Sequence, residues 1–264
     1  MPFHERGGLR YYVFPSLSLP DLTHAVFTRH GGVSPPPWEA LNLGGTVGDA
    51  PERVSENRRR AFQAVGRSLD SLYDVWQVHS ARVVRVTAPL SSREEIIKAD
   101  AMVTDCDDVT LFMRFADCVP VFLFDPVKRA IGLAHAGWQG TVRNVARATV
   151  EALQAHYGTQ PEHILAGIGP SIGPDHYEIG PDVIEKVEAA FPEEASSLLL
   201  STDGTVKLDL WKANQRSLEQ AGVDHVDVAG ICTACHVEAW YSHRAENGQT
   251  GRFGALIGLN SSLT

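Results

Sequence analysis

Apolar residues along this chain gather in short runs bounded by Gly, Pro, Asn and Asp, the pattern of buried or half-buried strands. The runs predict strands over Leu9–Phe14, His24–Thr28, Val75–Val86, Val109–Phe115 and Val121–Asp125. Further strands are predicted over Ala130–Ala136, His163–Gly167, Val226–Ile231, Ala239–Ser242 and Arg252–Leu259. A helical period appears over Pro51–Val65, Thr141–Tyr157, Pro181–Phe191 and Asp209–Ala221. Thr141 reads as an N-cap, and Gly158 as the matching stop. Asn247-Gly248 predicts a tight turn closing a hairpin-like C-terminal segment. Many strands with interspersed helices imply a mixed α/β sandwich. The consecutive strands between 109 and 136 exclude a simple alternating Rossmann order.

Composition narrows the class. The chain has 264 residues, 44% hydrophobic and 21% charged, enough for a sizeable core and ordinary for a globular protein. No composition shift, repeat or linker divides it, so residues 1–264 read as one domain. The net charge of −9 repels polyanions, so nucleic acid and membrane surfaces are not expected partners. The start of the chain lacks an apolar segment after a basic stretch, and no run is long enough to span a bilayer. Four Cys do not make a disulfide scaffold. A cytoplasmic protein is expected.

Several residues could carry chemistry. His79, Cys118 and His135 each fall within or at the end of an apolar run, where a polar group is costly to bury unless satisfied. Together they could give zinc three ligands and leave a fourth position open. Their spacing matches no local zinc motif, so on the residues alone separate core His residues and a buried inert Cys are the favoured reading. Cys118 and His135 could instead form a nucleophilic pair. The turn Gly137–Gly140 before a helix could receive an anion. Gly167–Pro174 is a second Gly-rich loop, but it lacks the Lys-Ser/Thr ending of a phosphate cradle. Cys232-Thr233-Ala234-Cys235, followed by His236 and Glu238, has the deaminase elements in the wrong order, and two ordinary thiols are expected there. Arg29, Arg58, Arg244 and Arg252 are candidate phosphate contacts.

These residues sit within a longer pattern. Phe27-Thr28-Arg29, Gly31-Gly32-Val33-Ser34, Leu41-Asn42-Leu43-Gly44, Gly48-Asp49 and Asn57-Arg58 are followed by Gln77-Val78-His79 and Ala99–Thr104. Ala116-Asp117-Cys118-Val119-Pro120, His135-Ala136-Gly137-Trp138, Gly169–Gly173 and Thr250-Gly251-Arg252-Phe253 complete it. From about residue 20 to 260 the chain resembles the laccase-domain family, also called multicopper polyphenol oxidase-like or purine nucleoside phosphorylase proteins. The resemblance implies a single-domain, four-layer αββα sandwich with mixed sheets, related to cysteine-hydrolase-like toxins. It implies that His79, Cys118 and His135 hold zinc. It implies phosphorolysis of adenosine, inosine and methylthioadenosine to free base and ribose 1-phosphate, with an accompanying adenosine deaminase activity. The polyphenol oxidase label implies copper instead, but a multicopper centre needs more clustered His.

On this reading the small-molecule partners are purine nucleosides and phosphate, and a homo-oligomer is possible. Cys118, His135 and Asp117 are the expected catalytic residues, with Asp100 a rival carboxylate to Asp117. In an extended segment, Asp117 and Cys118 would point to opposite faces. Arg29, Asn42, Arg58 and Arg244 are the expected phosphate and substrate contacts. The chain departs from the family pattern at Gln139, where Arg is usual, and at Arg244-Ala245, where Arg-Arg is usual. Relatives linked to peptidoglycan precursor editing give an amidase as the alternative function. A non-enzymatic partner protein is the third.

Overall fold

The computed structural model describes residues 2–91, 96–202 and 204–261. Fourteen strands occur among them. In chain order β1 is Phe3–Arg6, β2 Leu9–Tyr12, β3 Leu22–Phe27, β4 Leu72–Tyr73 and β5 Val83–Arg85. Then come β6 (Ala101–Thr104), β7 (Thr110–Phe115), β8 (Val119–Asp125), β9 (Ala130–Ala136) and β10 (Leu165–Ile168). The last four are β11 (Leu199–Thr202), β12 (Thr205–Leu208), β13 (His225–Val228) and β14 (Phe253–Leu259). The helices are α1 (Pro51–Ala64), α2 (Trp138–Val142), α3 (Val145–Tyr157), α4 (Pro181–Ala190), α5 (Ala195–Leu198) and α6 (Leu210–Gln220).

Two six-stranded sheets carry the fold, in the orders β1-β2-β3-β14-β7-β4 and β13-β10-β8-β9-β6-β5. Both are mixed: β4 pairs β7 in parallel, as β5 pairs β6 and β10 pairs β13, while the remaining pairs are antiparallel. The sheets face each other through Met113, Phe115 and Ile257 on one side and Phe122, Phe124 and Leu133 on the other. The outer face of the first sheet places Phe27, Phe112 and Leu256 against Ala61 and Phe62 of α1. The outer face of the second packs Val103, Val121 and Ala134 against α3, α4 and α6. The result is the expected helix–sheet–sheet–helix layering. Strands β8 and β9 are buried along their whole length, so they read as continuous apolar runs rather than alternations.

Local chemistry sets the helix ends. Pro51 opens α1 and Glu52 sits in its first turn. The Asp209 carboxylate accepts from the Lys212 N–H and caps α6. Gly158 stops α3 at φ 67°.

Four local expectations are corrected. Val75–Val86 is not one strand: most of it is a loop, with β4 just before it, a single bridge from Trp76 to Lys98, and Val83–Arg85 the one strand inside it. Ala239–Ser242 is irregular and apolar because Trp240 and Tyr241 are core residues, the Tyr241 hydroxyl donating to the Trp38 carbonyl. Thr141 lies inside α2, and Asn144, in the left-handed region at φ 59°, breaks the predicted single helix into α2 and α3. Asn247-Gly248 turns the chain without closing a hairpin, since β14 pairs with β3 and β7 instead. No helix among the described residues is long and apolar enough to cross a membrane.

Candidate active site

Three segments bring His79, Cys118 and His135 together. His135 is the penultimate residue of β9 and is buried. Cys118 lies in the short bend between β7 and β8, and His79 in the loop that follows β4. One donor atom from each side chain lies within 4.8 Å of the others. Cys118 Sγ is 3.9 Å from His79 Nε2, and the two imidazole rings meet edge to face with centroids 4.9 Å apart.

The loop carrying His79 is wrapped around one carboxylate. Asp100, fully buried, accepts from the backbone N–H groups of Val78, His79 and Ser80 and from the Ser80 hydroxyl. These bonds hold His79 in the left-handed region at φ 59°, a strained choice for a non-glycine residue. Asp100 Oδ1 is also 2.9 Å from His135 Nδ1, which leaves Nε2 of that ring for the cavity. Burial raises the Asp100 pKa, but the bonds from His135 and Ser80 overcome it and hold the carboxyl at about 2. For Cys118 and His135 burial opposes both charges, yet each stabilises the other. The thiol is pulled down and the imidazole pushed up, with Asp100 reinforcing the imidazolium.

Gly137 makes the convergence possible. A Cβ there would stand 2.8 Å from Cys118 Sγ and 2.9 Å from His79 Cδ2. The bend at Asp117, at φ 84°, turns the chain so that both Asp117 and Cys118 line the cavity, unlike the opposite faces of an extended segment. Asp117 is nevertheless engaged on both oxygens. Oδ1 accepts from the Thr233 hydroxyl and Oδ2 from the Arg244 N–H, each at 2.7 Å.

The donor set opens onto a cavity of about 680 Å³. Four arginines line it: Arg58, Arg114, Arg244 and Arg252. Arg244 donates from Nη1 to the Glu178 carbonyl and lies over the Tyr177 ring at 5.0 Å. Arg252 Nη1 donates to the Thr250 and Gly251 carbonyls. Arg58 and Arg114 flank the buried Asp74, at 3.9 and 2.7 Å, and burial raises the pKa of that carboxyl despite them. Trp76, half exposed, Trp138 and Tyr177 supply aromatic surface. A smaller cavity of about 240 Å³ meets His79 and Cys118 from the side of Gly137, Gln139 and Leu210.

Two expected contacts lie outside both cavity linings. Arg29 is tied to the carbonyls of Glu39, Val237 and Trp240, pairs with Glu246 at 3.0 Å and lies over the Tyr241 ring. Asn42 is fully buried, bonding Gly44 through both backbone groups, the Asp49 carboxylate and the Arg252 N–H. Its role is to shape the Gly44 turn and seat Arg252. Arg114 escaped sequence reasoning, although a cation in the otherwise apolar strand β7 was a visible signal. Tyr177, Trp76 and His243 gave none. The helix expected after the turn Gly137–Gly140 starts already at Trp138, so Gly140 and Thr141 lie inside α2, a helix of only five residues.

The donor chemistry fits a metal. One thiolate and two imidazoles, one of them oriented by a carboxylate, match a catalytic zinc set with a fourth position facing a cavity. A multicopper cluster is not matched, since this group contains only two His.

Comparison with known proteins gives the family. The family model described as multi-copper polyphenol oxidoreductase laccase matches residues 23–260. A Deinococcus radiodurans protein named purine nucleoside phosphorylase is 42% identical over 253 residues, 96% of this chain and 94% of that one. Purine nucleoside phosphorylase YlmD of Bacillus subtilis is 37% identical over 89% of this chain and 87% of its own length. The crystal structure of the Bacillus licheniformis hypothetical protein YfiH superposes with a TM-score of 0.91 at 32% identity, covering 98% of this chain and 99% of that chain.

Proposed function

Because the chain belongs to the multi-copper polyphenol oxidoreductase laccase family, many of whose members here carry the name purine nucleoside phosphorylase, we propose that it is a zinc-dependent purine nucleoside phosphorylase. The observation that carries this reading is one cavity lined by both a His–Cys–His donor set and four arginines. Adenosine, inosine and methylthioadenosine are the proposed substrates, cleaved to free base and ribose 1-phosphate in the cytoplasm. Deamination of adenosine is proposed as an accompanying activity.

Each residue has a derived task. Arg244 and Arg252 bind phosphate, because both line the cavity and their side-chain bonds go to backbone carbonyls rather than to a buried carboxylate. Arg58 and Arg114 neutralise Asp74 and leave the floor of the cavity positive. Trp76, Trp138 and Tyr177 offer faces on which a purine can stack. Asp117 fixes the backbone of Arg244 and the Thr233 loop, so it positions a binding residue instead of shuttling the proton. His135, its Nδ1 held by Asp100, turns Nε2 toward the other two donors, so its task is that of an oriented metal ligand. Zinc held by His79, Cys118 and His135 would supply Lewis acidity, which loss of the adenosine amino group requires.

The test is product analysis. Zinc-replete protein incubated with inosine or adenosine and phosphate is expected to yield hypoxanthine or adenine with an equal amount of ribose 1-phosphate. No base release with any of the three nucleosides sinks the reading. The pairing of Cys118 with a His135 that is backed by Asp100 also favours a second reading, a cysteine amidase acting on a cell-wall precursor. The two separate by inhibition: chelation stops the phosphorylase, whereas an amidase survives chelation and dies on thiol alkylation.

A further inference from the structure

Outside the cavity, the loop Gly173–Tyr177 and the loop Ile231–Cys235 meet edge to edge. Ser171 and Cys232 form a parallel bridge, the Ser171 N–H donating to the Ile231 carbonyl and the Thr233 N–H to the Ser171 carbonyl. This zipper gathers four side chains that could ligate a metal: Asp175, His176, Cys232 and Cys235. All four donor atoms lie within 4.8 Å of one another. His176 Nδ1 is 3.5 Å from Cys235 Sγ, 3.8 Å from Cys232 Sγ and 3.0 Å from Asp175 Oδ2. Cys235 Sγ is 3.4 Å from Asp175 Oδ2.

Those separations have a geometric meaning. Tetrahedral zinc with bonds of about 2.3 Å to sulfur and about 2.0 Å to nitrogen or oxygen holds its ligand atoms about 3.3–3.8 Å apart. Three of the four measured edges fall in that range, and the His176–Asp175 edge is shorter, at 3.0 Å. The surrounding backbone is cut to fit. The Gly173 N–H donates to Cys232 Sγ at 3.1 Å, as a thiolate ligand would require. A Cβ on Gly173 would stand 2.6 Å from Asp175 Oδ1 and 3.2 Å from Cys232 Sγ, so only glycine lets the two loops close to this distance. The two cysteines have the Cys-x-x-Cys spacing of a zinc knuckle.

We propose that Asp175, His176, Cys232 and Cys235 form a second metal site, a closed four-coordinate centre that takes zinc. Two thiolates, one imidazole and one carboxylate are a soft, borderline set suited to zinc over magnesium or calcium. With four protein ligands the site keeps no open position, so it is structural and not catalytic. Its placement gives it a purpose. Thr233, between the two cysteines, donates to Asp117, and Tyr177, next to His176, lines the large cavity beneath Arg244. The metal clips together the two loops that form that wall. The proposal is independent of the reaction catalysed at His79, Cys118 and His135.

Metal content tests it. Protein purified under reducing conditions from zinc-supplemented cells is expected to carry two zinc ions per chain. Cys235→Ser, an exposed position, is expected to carry one, and so is Cys118→Ser, which removes a ligand of the other site. In the Cys118→Ser background, cobalt is expected to give the intense thiolate-to-metal band and the visible bands of a tetrahedral two-sulfur site. Both should vanish in Cys118→Ser/Cys235→Ser while the circular dichroism spectrum is retained. Equal zinc in wild type and Cys235→Ser overturns the proposal. So does a folded Cys118→Ser protein that binds neither zinc nor cobalt, or a native Cys232–Cys235 disulfide found by mass spectrometry in protein purified without reductant.

Discussion

Asp100 Oδ1 lies 2.9 Å from Nδ1 of His135, and that contact decides which ring nitrogen is left for the cavity. The same carboxylate holds three successive N–H groups of the His79 loop. One buried acid therefore orients two of the three donors, one through its ring and one through its backbone. Asp100→Asn keeps the size but replaces an acceptor with a donor on one side. It is expected to weaken zinc at this site by about 10- to 100-fold, the usual cost of removing the carboxylate behind a ligating histidine. Competition against a chelator of known affinity measures this, and unchanged affinity would show that Asp100 does not act through His135.

Gly137 has an ordinary backbone, at φ −71°, so alanine there meets no conformational penalty of its own. Its Cβ would collide with Cys118 Sγ and with the His79 ring. Gly137→Ala is expected to cost about 1–3 kcal/mol through overpacking. It should also lose the metal at His79, Cys118 and His135. Zinc content together with a denaturant titration reads both effects. A variant with full zinc would mean the donors can spread without losing their set.

Arg29 and Arg244 both entered the sequence reading as phosphate contacts, and the structure separates them. Arg244→Ala is expected to raise the KM for phosphate about 10- to 100-fold, in line with one lost charge-assisted bond of about 1.5–3 kcal/mol. Arg29→Ala should leave that KM within about twofold. It should instead lower stability, by about 1–3 kcal/mol, because the half-buried Glu246 carboxylate loses its cation and three backbone carbonyls lose a donor. Steady-state kinetics with phosphate varied, paired with thermal melts, distinguishes the two residues. Similar phosphate KM values for both variants would return Arg29 to the site.

His24 gives a pH dependence away from any metal ligand. Burial lowers its pKa to about 4, with His4 adding to the effect, and Nε2 accepts the Phe14 N–H, a bond that protonation there would break. Between pH 6.5 and 4 the unfolded chain therefore binds more protons at this position than the folded one. Stability contributed by neutral His24 is complete above about pH 6.5 and is lost as pH falls toward 4. The ceiling is about 3 kcal/mol. Urea unfolding at pH 7 and pH 5 should show a smaller drop in His24→Gln than in the unmodified protein. Parallel curves for the two proteins would contradict the assignment.

How far the sequence could be read depended on whether local pattern or distant contact decides each element. Val119–Asp125 and Ala130–Ala136 are legible because both faces are covered, so composition alone announces a strand. Val75–Val86 misleads for the opposite reason. Its alternation of apolar and polar residues comes from a loop moulded on Asp100, a contact some twenty positions away. Trp240 and Tyr241 mimic a strand because they fill the core from an irregular segment. At the site, the three donors were readable as residue types in a family pattern, but their convergence was not. It depends on left-handed backbone at His79 and Asp117 and on the room left by Gly137. Arg114 pairs with an acid 40 positions earlier, a relationship no local window contains.

Strand β14 lies between β3 and β7, at the middle of the first sheet, although it is the last strand in chain order. A nascent chain emerging from the ribosome therefore holds a gap at the centre of that sheet until Phe253–Leu259 arrives. Until then β3 and β7 offer unpaired edges to any neighbour, the condition that favours aggregation. Arg244 and Arg252 come just before the same strand, so these two arginines join the cavity lining only as the gap is filled. Closing of the sheet and completion of the cavity lining are thereby one event.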